Sequence, residues 1–210
     1  MSETTDPALA AALATLAAPG VRIGHRVIQG GDEKILFETE AKTVSALPDK
    51  RRASGAARIV GRALLKELGV AEQPVPRRVS GAPLWPDGVT GSFAHDHLVA
   101  VAALARTRDV SALGLDVEPA VALPSDMLDL VTTPKERIDG DPMRGRVLFV
   151  VKEAVYKAVH PHDGKFLDYH DIEVDLAAKK AVTKTGHTLE LRFCAATHVV
   201  AVAWIAAASR

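Results

Sequence analysis

The 210-residue chain is long enough for one sizeable core or two small ones. Hydrophobic residues make up 48% and charged residues 25%, the balance of an ordinary globular protein, which excludes a disordered chain. The 26 basic residues equal the 26 acidic ones, so nucleic acid is not an expected partner, although a local basic pocket is compatible with that balance.

A single cysteine, Cys194, sits in the alternating run Leu189-Glu190-Leu191-Arg192-Phe193-Cys194 and reads as a small apolar strand residue. One cysteine builds neither an internal disulfide nor a cysteine zinc cluster, which points to a reducing compartment. The first 20 residues contain no Lys or Arg, unlike a secretory leader. The longest apolar stretch, Val199 to Ser209, is too short to span a bilayer. A soluble, cytoplasmic protein with no membrane partner is expected.

In chain order, Asp6-Pro7 and Pro19-Gly20 bracket an alanine- and leucine-rich run that predicts a first helix. Short strands are predicted around 21–28 and 34–38. Pro48 to Gly69 predicts a long helix with Ile59, Ala63, Leu64 and Leu68 on one face. Residues 73–91, rich in Pro and Gly, predict a loop, followed by strands at 97–105 and 111–118. Thr133-Pro134-Lys135-Glu136 has the form of a helix start. A second long helix is predicted from about Arg144 to His160, stopped by Pro161, and three strands close the chain near 171–176, 187–194 and 198–207.

An internal echo relates His97-Leu98-Val99-Ala100-Val101-Ala102-Ala103-Leu104 to His198-Val199-Val200-Ala201-Val202-Ala203-Trp204-Ile205, an offset of 198 − 97 = 101 residues. Each half also places one long helix before its apolar strand. The fold class predicted is α+β, built from two similar halves, 1–110 and 111–210, with a site at their junction. Chance similarity between two apolar strands is the competing explanation.

Two segments carry candidate chemistry. In Gly114-Leu115-Asp116-Val117-Glu118 a strand puts Gly114, Asp116 and Glu118 on one face. At ~3.3 Å per residue the two carboxylates lie about 7 Å apart, close enough to converge on one cation, with Gly114 leaving room for a ligand. A half-buried strand with a polar outer face is the competing reading of this segment. In the helix from Phe149 to His160, Lys152, Glu153, Tyr156, Lys157 and His160 share a sector of roughly 140° and the remainder is apolar. Glu153 and Lys157 are also spaced for an ordinary surface ion pair. Taken together, Asp116, Glu118 and Glu153 supply the hard oxygens that Mg²⁺ accepts, and the adjacent lysines suit an anionic partner such as a pyrophosphate.

Further basic residues occur at Lys50-Arg51-Arg52, Arg58, Arg62 and Arg77-Arg78. The rigid loop Gly81 to His95 brings backbone N–H groups and an imidazole to where a phosphate can bind. His95-Asp96-His97 lacks a third imidazole at metal-ligand spacing. His160, His162 and His170 read as surface residues.

These elements resemble the 4′-phosphopantetheinyl transferase family, in its monomeric branch serving siderophore, nonribosomal-peptide and polyketide synthesis. The resemblance lies in Gly114-Leu115-Asp116-Val117-Glu118, in Phe149 through Lys157, in the loop Gly81 through His95 and in Phe166-Leu167-Asp168-Tyr169-His170-Asp171, covering roughly residues 45–176. It implies transfer of phosphopantetheine from coenzyme A to a serine of an apo acyl or peptidyl carrier protein, by a monomer whose halves are related by a pseudo-twofold axis. It implies Mg²⁺ on Asp116, Glu118 and Glu153, with Glu153, Lys157 and Asp116 catalytic. It implies coenzyme A contacts from Lys50, Arg51, Arg58, Arg77, the backbone at Ala94, His95, Lys152 and Lys157. This chain departs from the family pattern at Ala94, where a hydroxyl residue often stands, at Val150, and in a short segment between Arg137 and Arg144. The rivals are a non-catalytic module binding coenzyme A or carrier domains, and another Mg²⁺-dependent phosphotransferase. A nucleotide kinase lacks support because no Gly-x-x-x-x-Gly-Lys-Ser/Thr loop is present.

Overall fold

The computed structural model describes residues 4–137 and 141–208. Helix α1 (Pro7–Ala14) starts where Asp6 accepts a hydrogen bond from the Leu9 amide, and strand β1 (Arg22–Val27) follows. A 3₁₀ turn (Asp32–Ile35) and a short helix α2 (Glu38–Ala41) stand where a strand at 34–38 was expected. Side-chain acceptors decide the difference: Asp32 takes the Gln29 amide and Glu40 takes the Phe37 amide, holding the backbone in turns.

Helix α3 (Pro48–Glu67) then packs on a three-stranded antiparallel sheet of order β1-β3-β2, with β2 at Val89–His95 and β3 at Val99–Arg106. The buried face of α3 is Ala53, Ala56, Ala57, Val60, Gly61, Leu64 and Leu65, whereas Ala63 is exposed and Ile59 half-buried, so the face differs from that predicted. Small residues set it: a Cβ on Gly61 would lie 2.8 Å from the Phe93 ring, so the helix rests directly on β2. The predicted 73–91 loop gives way to β2 at Val89, its glycine at position 91 seated against the Ala103 carbonyl and Trp85.

The second half begins with β4 (Val110–Pro119), then α4 (Ser125–Val131), which had no sequence signal, and α5 (Pro142–Asp163). Thr133–Glu136 forms a turn and not a helix start, because the Glu136 carboxylate folds back onto the Thr133 amide. The segment expected to be short between Arg137 and Arg144 lies partly outside the described residues. Pro161 does not stop α5, which runs to Asp163 and ends at Gly164 with φ 64°. A proline in the last turn costs the helix only one hydrogen bond.

Strands β5 (Ile172–Asp175), β6 (Lys180–Thr183), β7 (Thr188–Ala195) and β8 (His198–Ala206) complete an antiparallel sheet of order β4-β8-β7-β6-β5. Cys194 lies in β7, half-buried against the apolar core. The echoed segments are β3 and β8, and each is inserted between the first strand of its half and the partner of its hairpin: β1-β3-β2 and β4-β8-β7. Each half therefore follows the path strand, helix, hairpin, and the passage from β3 to β4 falls in the turn at 107–109. Leu113, Leu115 and Val117 face a core shared with Val101 and Ala103 of β3, while the other face of β4 lies under α5. Among the described residues no helix is long and apolar enough to cross a membrane.

Candidate active site

Two neighbouring features make up the site: a cleft between the halves, and an acidic cluster where β4 meets α5. The contact between β4 and α5 depends on Gly114. A Cβ there would lie 1.9 Å from the Ala154 carbonyl oxygen and 2.5 Å from the Ala158 amide, so the helix backbone rests on bare strand. The glycine therefore leaves no space for a ligand, contrary to the sequence expectation; it leaves space for α5. The close approach carries Lys157, one residue before Ala158, onto Asp116, with Nζ to Oδ1 at 2.6 Å.

Asp116 is buried, and its Oδ2 has no hydrogen-bond partner among the described residues. Burial pushes its carboxyl above the usual range, the Lys157 ammonium pulls it back, and Glu153 raises it further. Glu118 is half-buried and is likewise raised, first by burial and then by Asp116, with Arg146 opposing at 3.6 Å. Glu153, on α5, accepts a 2.6 Å hydrogen bond from the Tyr169 hydroxyl. The predicted Glu153–Lys157 helix pair is replaced by these two longer-range partnerships. Asp116 is thus coupled electrostatically to both Glu118 and Glu153, at the place where β4 meets α5. Among the described residues, no three His, Cys, Asp or Glu side chains gather tightly enough to ligate one ion as they stand. The orphaned Asp116 oxygen and the unfavourable crowding of carboxylates fit a hard cation at this place, and the donors are oxygens throughout.

Beside this cluster lies a cleft of about 530 Å³. One wall comes from α3 and the 77–95 segment, with Arg58, Arg77, Trp85 and His95; the other comes from α5, with Tyr156 and Lys157. His160 and His162, predicted as surface residues, line the cleft too. Burial lowers the His95 pKa, and the Lys157 and Arg77 charges lower it further, which places those two cations within electrostatic reach of the imidazole. Ala94 lines the same wall and supplies backbone but no hydroxyl.

Arg58 lies at the cleft floor, buried, and its donors go to the Val75 and Ser54 carbonyls. Burial lowers its pKa to about 10, so the guanidinium stays charged near neutral pH. Its nearest acid is Glu40, fully buried, which also takes the Arg62 guanidinium and the Val75 amide. Sequence reading missed Glu40, an acid in a short helix with no motif around it. Its effect is to tether the strap carrying Arg77 to α3.

Three basic residues do not behave as expected. Lys50 is exposed and does not line the cleft, and Arg51 donates to the Ala41 carbonyl. Lys152 requires outright correction. It is fully buried, and its ammonium donates to Glu136 at 2.7 Å and to the Val131 and Tyr169 carbonyls at 2.9 Å each. With all three donors spent inside the protein, it has none for a coenzyme A phosphate. Glu136 pairs with it, and the turn that buries this acid could not be read from its sequence.

The sequence is similar to those of known proteins. Residues 38–105 match the profile of the 4′-phosphopantetheinyl transferase N-terminal domain, and residues 112–207 match that of the 4′-phosphopantetheinyl transferase superfamily. The 4′-phosphopantetheinyl transferase Svp of Streptomyces mobaraensis is 38% identical over 149 residues, 67% of this chain and 61% of that protein. Npt of Nocardia iowensis, also a 4′-phosphopantetheinyl transferase, is 30% identical over 178 residues, 82% of this chain and 80% of its own. PptT of Mycobacterium tuberculosis, of the same name, is 35% identical over 119 residues, covering 54% of this chain and 52% of that one.

Proposed function

The chain belongs to the 4′-phosphopantetheinyl transferase family, and we propose that it transfers the phosphopantetheine arm of coenzyme A to a serine hydroxyl of an apo acyl or peptidyl carrier protein. The observation that carries this reading is the continuity between the cleft and the acidic cluster: Lys157 lines the first and bonds Asp116 in the second. A diphosphate lying along the cleft would meet Arg77 and His95 on one wall and Lys157 on the other, two cations that favour negative charge and an imidazole that can donate a hydrogen bond.

The residues divide the chemistry as follows. A serine hydroxyl is a weak nucleophile near neutral pH, so a base must take its proton as it attacks the β-phosphorus. Glu153 has one oxygen on Tyr169 and the other available for that proton. As the new ester bond to serine forms, the bond from the β-phosphorus to the bridging oxygen breaks, and adenosine 3′,5′-bisphosphate leaves with the electron pair. Lys157 stabilises the departing phosphate. Asp116, Glu118 and Glu153 would hold Mg²⁺ in this scheme. When bound, such an ion would supply positive charge to offset the negative charge that develops on the pyrophosphate. Lys157 gives Asp116 a counter-charge from within the protein.

A division at 110/111 gives the first half one cleft wall and the second half the other wall and the acids, consistent with a site shared by two related units. The assignment extends to a monomer in the cytoplasm, where coenzyme A and unmodified carriers meet. The test is a comparison of wild type with Glu153→Gln, incubated with coenzyme A, Mg²⁺ and a panel of apo carrier domains. Wild type adds one phosphopantetheine to a carrier, and the variant, folded as judged by circular dichroism, does not. Normal rates in the variant remove Glu153 from the mechanism.

A further inference from the structure

Tyr169 is held at three points by one turn of α5. Its ring packs at 5.7 Å from the Phe149 ring, its carbonyl accepts from Lys152, and its hydroxyl donates to Glu153 at 2.6 Å. Phe149, Lys152 and Glu153 stand at i, i+3 and i+4, one face of a helix. The Phe-x-x-Lys-Glu spacing is thus the footprint of a clasp for residue 169. Each contact closes by a different force: ring packing, an ion-assisted hydrogen bond to backbone, and a hydrogen bond to a carboxylate.

The clasp also explains the burial of Lys152. Glu136 neutralises its charge, Val131 and Tyr169 take its other protons, and it thereby ties the 3₁₀ turn Tyr169–Asp171 to α5.

From this geometry we propose that Tyr169 is a positioning residue for Glu153, directing one carboxylate oxygen at the incoming serine by occupying the other, and that Lys152 acts only through Tyr169. The role presupposes the transferase reading, because it assigns Tyr169 to the group that takes the serine proton. It extends beyond that reading in placing the lysine of the motif outside the coenzyme A site.

Tyr169→Phe removes one oxygen and keeps the ring and the carbonyl, so the clasp and the fold survive. Steady-state transfer should show kcat lowered roughly tenfold with the KM for coenzyme A unchanged, the pattern of a lost orientation. Independently of activity, the ¹³Cζ resonance of labelled Tyr169, which reports the phenol hydrogen bond, should move on Glu153→Gln. An unchanged kcat in Tyr169→Phe, with Glu153→Gln inactive, overturns the positioning role and leaves the transferase reading intact. A raised KM with unchanged kcat, or an unmoved resonance, overturns it equally. Absence of transfer by wild type refutes the transferase reading and the role of Tyr169 with it.

Discussion

Replacing Gly114 by alanine adds one methyl group at the point where α5 rests on β4. That methyl would stand 1.9 Å from the Ala154 carbonyl oxygen, where ordinary contact begins at 3.4 Å, so the helix must retreat by about 3.4 − 1.9 = 1.5 Å or the strand must bend. Both obstructing atoms are backbone, at Ala154 and Ala158, so no side-chain rotation relieves the contact. Overpacking of this kind costs ~1–3 kcal/mol, read as a lower urea midpoint at unchanged slope. The functional effect is larger in proportion. Lys157 lies within the displaced turn and its 2.6 Å bond to Asp116 cannot span the added gap, while Glu153 moves away from the cluster with it. A misplacement of about 1 Å is expected to lower the transfer rate by about 100-fold. Transfer to an apo carrier and urea unfolding measured on the same preparation test both effects. Wild-type stability together with a wild-type rate would show that α5 does not depend on bare strand at position 114, and would remove the link drawn between that glycine and the position of Lys157.

Other predictions concern single side chains. Lys152→Met should destabilise the fold by ~3–5 kcal/mol, because it leaves buried Glu136 without its counter-charge, while the folded fraction still binds coenzyme A normally in a calorimetric titration. Arg77→Ala should give the opposite pattern: unchanged stability, since the side chain is exposed, and weakened coenzyme A binding. His25 accepts the Asp6 amide on Nε2, and burial holds its pKa below the ordinary 6.5. The unfolded chain therefore binds the proton more readily, and stability should fall as pH is lowered through 6.5 towards the depressed folded value. Urea midpoints between pH 7.5 and 5.5 should show this slope, and His25→Gln should reduce it to the part that His95, also depressed by burial, contributes.

Much of the frame is legible because long periodic segments declare themselves. The runs that became α3, β3, β4, α5 and β8 could be placed to within a few residues, since burial on one or both faces fixes their composition. Segments governed by side-chain to backbone hydrogen bonds were misread. The turns at 32–41 depend on Asp32 and Glu40 and the turn at 133–136 on Glu136, and the last two acids find partners distant in sequence. The same limit applies to the site. Motif spacing brought Asp116, Glu118, Glu153 and Lys157 to one region, but Lys152 looked like its neighbours on the helical wheel. Its burial depends on residues 131, 136 and 169, which only the fold brings together. Gly114 was recognised as important for the wrong reason: a missing side chain signals close approach, and sequence does not say whether ligand or helix approaches.

The central claim is that the cleft and the acids beside it move a phosphopantetheine from coenzyme A to a carrier serine. Quantifying adenosine 3′,5′-bisphosphate and carrier mass in one reaction of wild-type protein, coenzyme A, Mg²⁺ and apo carrier tests it most directly. One nucleotide should be released for each phosphopantetheine gained by the carrier. Retention of coenzyme A by the protein with no change in carrier mass would contradict it and identify a binding module instead.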